Sequence, residues 1–250
     1  MYACVHLVCV ALILLYGIMS NIMREVELAT GEIFHVCNRT VEWIKIFNTP
    51  EYAEYFLESL LLANTFSELP RDWRRKKERD VLKAKNDLVD FYALELMPDH
   101  FHILLKQIVE NGVQKLMQRT CNGLAKLFNA REGRRGHLFI GPYKAVRVSS
   151  DAQGQHLLTY LHANSLDLIS KSWREGKFKD WPKAEKMLKS YRWSSLPVFL
   201  NESAANPIIC KLINKEFFNN YYNSSKEHIK ALREWSSEDY EIIENVTNEQ

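Results

Sequence analysis

Met97-Pro98-Asp99-His100-Phe101-His102-Ile103-Leu104-Leu105-Lys106 is an apolar, β-prone run that follows a turn signal at Pro98-Asp99. A strand sends successive side chains to opposite faces, so His100 and His102 project from one side, their Cα atoms about 6.6 Å apart. Phe101 and Ile103 then point the other way, into a core. Imidazole is the commonest protein ligand for metals, and two of them on one strand face can grip a single ion. The competing reading is a pair of half-buried histidines that only hydrogen-bond.

Working outward, residues 88–96 read as a strand joined to residues 100–107 through Pro98-Asp99. Residues 33–38 form an earlier strand. Thr49-Pro50-Glu51 opens a helix running to about residue 63, with a capping threonine and proline at the first helical position. Residues 66–86 are a polar, charged connection, and residues 112–130 a helix ended by the stretch 131–136. A strand at 143–149 and a helix at 151–164 complete a βαββαβα order. That order predicts an α+β fold, an antiparallel sheet with helices on one face. Beyond residue 170 come Trp173, Trp181 and Trp193, with helices near 183–189 and 224–235. The expected division is an apolar run at 1–22, a main domain at 23–170, and a helical accessory region with an acidic tail at 171–250.

In the helix at 151–164, Leu157, Leu158 and Leu161 fall at helical spacings, and Ser150-Asp151 offers a cap. Tyr160 and Asn164 are four residues apart, hence neighbours on one helix face. That face can present a phenol nucleophile beside an amide oxygen. The alternative is a tyrosine packed at a helix edge with a solvated asparagine. His162 falls on a different face and is assigned no catalytic role.

Taken together, these segments resemble the REP-associated tyrosine transposases, members of the HUH single-strand transposases, over residues 25–235. Gly31-Glu32-Ile33-Phe34-His35-Val36-Cys37-Asn38-Arg39 resembles the family's first strand, and Leu96-Met97-Pro98-Asp99-His100-Phe101-His102 its metal strand. Gly136-His137-Leu138-Phe139 with Tyr143-Lys144-Ala145 resembles the segment before the last strand. Tyr160-Leu161-His162-Ala163-Asn164 is similar to the tyrosine helix, and Tyr191-Arg192-Trp193-Ser194-Ser195 to a downstream signature. The chain departs from the pattern at Leu124, where many relatives have tyrosine, at Pro142 in place of a basic residue, and at Ser165 in place of proline.

The resemblance implies a ferredoxin-like HUH fold in which Tyr160 is the nucleophile and His100, His102 and Asn164 hold a divalent metal, Mg²⁺ or Mn²⁺. Mixed imidazole and amide ligation suits Mn²⁺ at least as well as Mg²⁺. It implies cleavage and rejoining of single-stranded DNA at hairpins through a covalent tyrosine-DNA intermediate, with no small-molecule cofactor. Monomer and homodimer are both open. A domesticated or decayed transposase that binds DNA hairpins without cutting them is the alternative.

Composition agrees with a folded enzyme: 46% of the residues are hydrophobic and 26% charged. The net charge of +2 hides two basic stretches. Residues 71–85 hold eight basic and three acidic side chains, and residues 126–147 hold six and one, a surplus of five in each. Clustered Arg and Lys supply the phosphate-neutralising term of nucleic-acid binding. Arg74, Arg75, Lys76, Arg131, Arg134, Arg135, Lys144 and Arg147 are the expected DNA contacts, with Trp73 placed to stack on an unpaired base. The five cysteines form no Cys-x-x-Cys pair, which fits a reducing compartment, and Cys37 and Cys121 read as core fillers. The first 23 residues contain no Asp, Glu, Lys or Arg. The run at 2–19 is either an N-terminal membrane anchor or a segment preceding a true start at Met23. The second reading goes with a cytoplasmic, nucleoid-associated protein.

Overall fold

The structure is a computed structural model that describes residues 27–68, 87–175 and 180–235. The apolar N-terminal run, Trp73, Arg74, Arg75, Lys76 and the acidic tail lie outside the described residues. Among those described, no helix is long and apolar enough to cross a membrane.

The chain begins with β1 (Ile33–Arg39), α1 (Pro50–Ala63), β2 (Val89–Leu96), β3 (His100–Gln107), α2 (Gly112–Arg131), β4 (Lys144–Arg147) and α3 (Asp151–Ala163). The four strands form one sheet in the order β2-β3-β1-β4. Every neighbouring pair is antiparallel. This is the ferredoxin-like arrangement of an α+β domain.

The register explains which residues meet. Phe101 and Ile103 of β3 oppose Asn38 and Val36 of β1, and Leu96 and Leu94 of β2, so these residues share one face. That face is covered by α1, whose buried stripe comprises Tyr52, Ala53, Phe56, Leu57, Leu60 and Ala63. The Phe56 ring packs on Phe101 with centroids 4.9 Å apart. α2 lies alongside, with Phe128 edge-on to Tyr52 at 5.3 Å. Thr49 makes no side-chain cap for α1. Its carbonyl accepts from the Tyr52 amide at 3.0 Å instead, and Pro50 removes one of the amides that would otherwise need a partner.

The pair α1 and α2 on one face is as expected, and the opposite face is covered as well. α3 crosses it, with Ser150 accepting from the Gln153 amide at 3.2 Å as the expected cap. Of the C-terminal helices α4 (Trp181–Ser190), α5 (Leu196–Leu200), α6 (Pro207–Leu212), α7 (Glu216–Asn219) and α8 (Ser225–Arg233), α5, α7 and α8 pack beside α3, α4 rests on α5, and α6 packs on α1. Because both faces are covered, β2 and β3 are buried almost throughout, and their sequences run apolar instead of strictly alternating. The outer edge of β2 is also occupied. The Leu96 amide donates to the Trp193 carbonyl at 2.9 Å, Ser195 N to Leu94 O at 2.8 Å, and Asn214 N to Phe91 O at 2.8 Å. Backbone groups that would template association with another chain are thereby paired.

Candidate metal and tyrosine site

His100 and His102 do share a face of β3, their rings nearly perpendicular with centroids 5.1 Å apart. At His100 the Nδ1 is 2.6 Å from a carboxylate oxygen of Asp99. An ionised carboxylate can only accept, so Nδ1 carries the proton and Nε2 offers its lone pair. That Nε2 is buried and has no hydrogen-bond partner among the described residues. Burial pulls the His100 pKa below its ordinary value, helped by His102 and Arg39 and opposed by Asp99. Burial also pushes the Asp99 carboxyl up, but the hydrogen bond and charge of His100, then Arg39, outweigh it and leave the group below the usual range. A neutral imidazole oriented by a carboxylate is the form that binds metals.

His102 is oriented from the next strand. Its Nδ1 lies 2.9 Å from His35 Nε2, with the rings stacked at 9°. Cys37 stands directly opposite His102 in the register. His35, Cys37 and His102 are all buried, their ligand atoms lie within 4.8 Å of one another, and the group could hold a metal ion. The sheet therefore puts four candidate ligands, His35, Cys37, His100 and His102, on one face of two adjacent strands. The His35-x-Cys37 spacing carries the same alternation as His100-x-His102, which is the sequence signal that could have found the pair.

α3 delivers Tyr160 to this face. Its side chain is fully buried, and its ring meets that of His102 edge-on at 6.2 Å. Tyr160 and Asn164 do lie on one face, and Arg174 addresses both. Its guanidinium donates to the Tyr160 hydroxyl at 3.0 Å, to the Asn164 side-chain oxygen at 3.1 Å and to Asp167 at 2.9 Å. The oxygen expected on a metal is thus an acceptor for Arg174. Trp173 and Trp235 pack against the Tyr160 ring at 5.9 and 6.0 Å. Trp173 is itself tied to Asp167 through its indole N–H at 2.6 Å. Arg174, Asp167 and Trp235 belong to no motif in the sequence and were not anticipated.

His162 turns away from the tyrosine. Ser195 Oγ accepts from the Leu94 amide at 2.9 Å and is hydrogen-bonded to His162 Nε2 at 2.8 Å. His162 Nδ1 meets His228 Nε2 at 2.8 Å. This chain of bonds fastens α8 and α5 to the sheet through α3. Burial holds the His228 pKa down at about 3, and burial plus His228 hold His162 well below the ordinary histidine value. Glu95, opposite His102 on β2, is fully buried. Burial pushes its carboxyl well above the usual range, and Ser194 and Ser165 pull it back only in part.

The expected DNA contacts that are described lie at the end of α2, in the loop after it and on the edge strand β4. Arg131 sits over the Tyr52 ring at 5.7 Å, and Arg134 over Phe128 at the same distance. Arg135 and Lys144 are exposed, and Arg147 is exposed 3.8 Å from the Glu32 carboxylate. Of the family departures, Leu124 and Ser165 are fully buried and Pro142 is exposed.

No family model matches the chain, and no curated protein matches it. Among solved structures, the chain is similar to that of a REP-associated tyrosine transposase bound to a REP hairpin. The identity is 10%, the match covers 74% of this chain and 87% of that one, and the TM-score is 0.44.

Proposed function

We propose that the chain is a metal-dependent single-stranded DNA endonuclease of the transposase type, cutting and rejoining strands at hairpins through a covalent bond to Tyr160. The observation that carries this reading is the placement of a tyrosine against the ligand-bearing face of the sheet, its ring 6.2 Å from His102 and its hydroxyl held by Arg174.

His100 and His102 would hold Mg²⁺ or Mn²⁺, joined by Asn164. The buried Nε2 of His100, with its Nδ1 anchored on Asp99, fits that role. A bound divalent cation supplies Lewis-acid polarisation of the scissile phosphate. The chain's own contribution is to orient the phenol and to answer its charge. As Tyr160 attacks phosphorus, its O–H bond breaks and a bond from phenolic oxygen to phosphorus forms, while the bond from phosphorus to the neighbouring nucleotide's 3′ oxygen breaks and that oxygen takes up a proton to leave as a 3′-hydroxyl. The Arg174 guanidinium stabilises negative charge on the phenolic oxygen once the proton has gone. The ester retains the energy of the phosphodiester, so a second strand's 3′-hydroxyl can reverse the step.

A second reading, hairpin binding without cleavage, draws on the full burial of Tyr160 beneath Trp173 and Trp235. Nicking of an end-labelled hairpin with a single-stranded flank, with and without Mn²⁺, separates the two. Metal-dependent nicking supports the enzyme, and binding without nicking supports the alternative.

A further inference from the structure

A groove of about 430 Å³ opens between α2 and the loop at 136–143, away from the histidine face. Its α2 wall is an exposed ridge of Gln114, Gln118, Asn122 and Lys126, each four residues after the last. Positions so spaced stack along one side of a helix, about 6 Å apart along its axis. The three carboxamide side chains make no hydrogen bond to another described residue. Across the groove stand the rings of exposed His137 and half-buried Tyr143.

We infer that this groove reads the bases of a single DNA strand, a function that rests on the nucleic-acid reading above and locates its sequence selectivity. A carboxamide presents a donor and an acceptor side by side, the pattern that matches the edge of a base, adenine above all. Amides about 6 Å apart address successive unstacked bases and not one base twice. The aromatic wall offers flat faces for those bases, which every base can use. Lys126 ends the ridge with a single positive charge suited to a phosphate, and the exposed Arg135 and Lys144 carry the basic surface beyond the groove. A purely apolar ligand would find little complement in a row of neutral amides.

The groove and the histidines share β1 from opposite faces of the sheet. Asn38, which lines it, sits between Cys37 and Arg39 on β1, and Arg39 is the register partner of His100. β1 thus stands between the groove and the histidine face.

The test is selection of a randomised single-stranded DNA pool on the full chain, followed by sequencing of what is retained. The wild type is expected to enrich defined bases at two or more adjacent positions. Gln118→Ala/Asn122→Ala, at two exposed positions, is expected to keep the circular dichroism and melting of the wild type. It should lose roughly tenfold of the discrimination at one or more of those positions. Lys126→Ala should weaken all sequences alike and reduce the slope of log affinity against log salt by about 0.7. The inference is overturned if the wild type binds no single strand, if it enriches no base, or if the double variant keeps the same preference. Base selection that depends on these amides, in a chain that forms no Tyr160 adduct, would sink the enzyme reading and leave the groove standing.

Discussion

Arg174 donates to the hydroxyl of Tyr160 at 3.0 Å, joining a short 3₁₀ segment to the helix that carries the phenol. The same guanidinium holds Asn164 and Asp167, so the tyrosine is positioned by a network and not by packing alone. In the proposed reaction, a fixed cation beside the phenolic oxygen, in a site closed by two tryptophans, would meet developing charge without reorganising.

Arg174→Lys should therefore lower the rate of adduct formation by about a hundredfold, the scale seen when a preorganised donor is lost. Hairpin affinity should change little. Single-turnover kinetics over a range of pH checks this, because the lysine variant keeps the charge but not the forked geometry. A rate equal to wild type at every pH would show that Arg174 serves only the fold.

Asp99→Ala frees the Nδ1 of His100 and removes the tautomer lock. Losing such a partner commonly weakens metal binding by about 10- to 100-fold. Calorimetric titration with Mn²⁺ should show that loss, while thermal unfolding of the metal-free chain changes far less. Unchanged Mn²⁺ affinity would remove His100 from the ligand set.

Gly112 opens α2, and a Cβ there would collide with the Leu88 backbone oxygen. The carbonyl also accepts the Ile108 amide at 3.0 Å, so it cannot easily move. Gly112→Ala should cost about 1–3 kcal/mol, as overpacking does elsewhere. Urea denaturation measures it, and a neutral result would mean that the helix start can shift.

The buried His228 has a folded-state pKa of about 3, below that of an unfolded histidine, so between those values only the unfolded chain takes up the proton. Its contribution is fully present above the unfolded pKa, near 6.5, and is lost as pH falls toward the folded value. Stability should decline by up to about 1.4 kcal/mol per pH unit from this one group as pH drops below 6. Denaturant midpoints at successive pH values test it, with His228→Gln expected to flatten the slope.

The strand hairpin and the tyrosine helix were legible because each is written in local periodicity. Alternation around Pro98-Asp99 places His100 and His102 on one face, and the interval of four places Tyr160 beside Asn164. Their boundaries in the structure agree closely, at His100–Gln107 and Asp151–Ala163. His35 joining His102 was not legible, since it depends on the register of β1 against β3, strands separated in sequence by a helix and β2. Cys37 was read as core, which its burial satisfies, but burial alone does not say that a histidine faces it. Arg174 lies on a five-residue 3₁₀ turn that has no period to detect. The helices α5, α6 and α7, of five, six and four residues, are likewise too short to show one.

The most direct test of the proposed chemistry is intact-mass and peptide mass spectrometry of the full chain after incubation with a single-stranded hairpin oligonucleotide and Mn²⁺. The account predicts a covalent protein-DNA adduct mapped to the peptide containing Tyr160. That adduct should require metal and be absent from Tyr160→Phe and from His100→Ala/His102→Ala. An adduct that persists in Tyr160→Phe, or a wild-type chain that binds the hairpin and forms none with either Mn²⁺ or Mg²⁺, would contradict it.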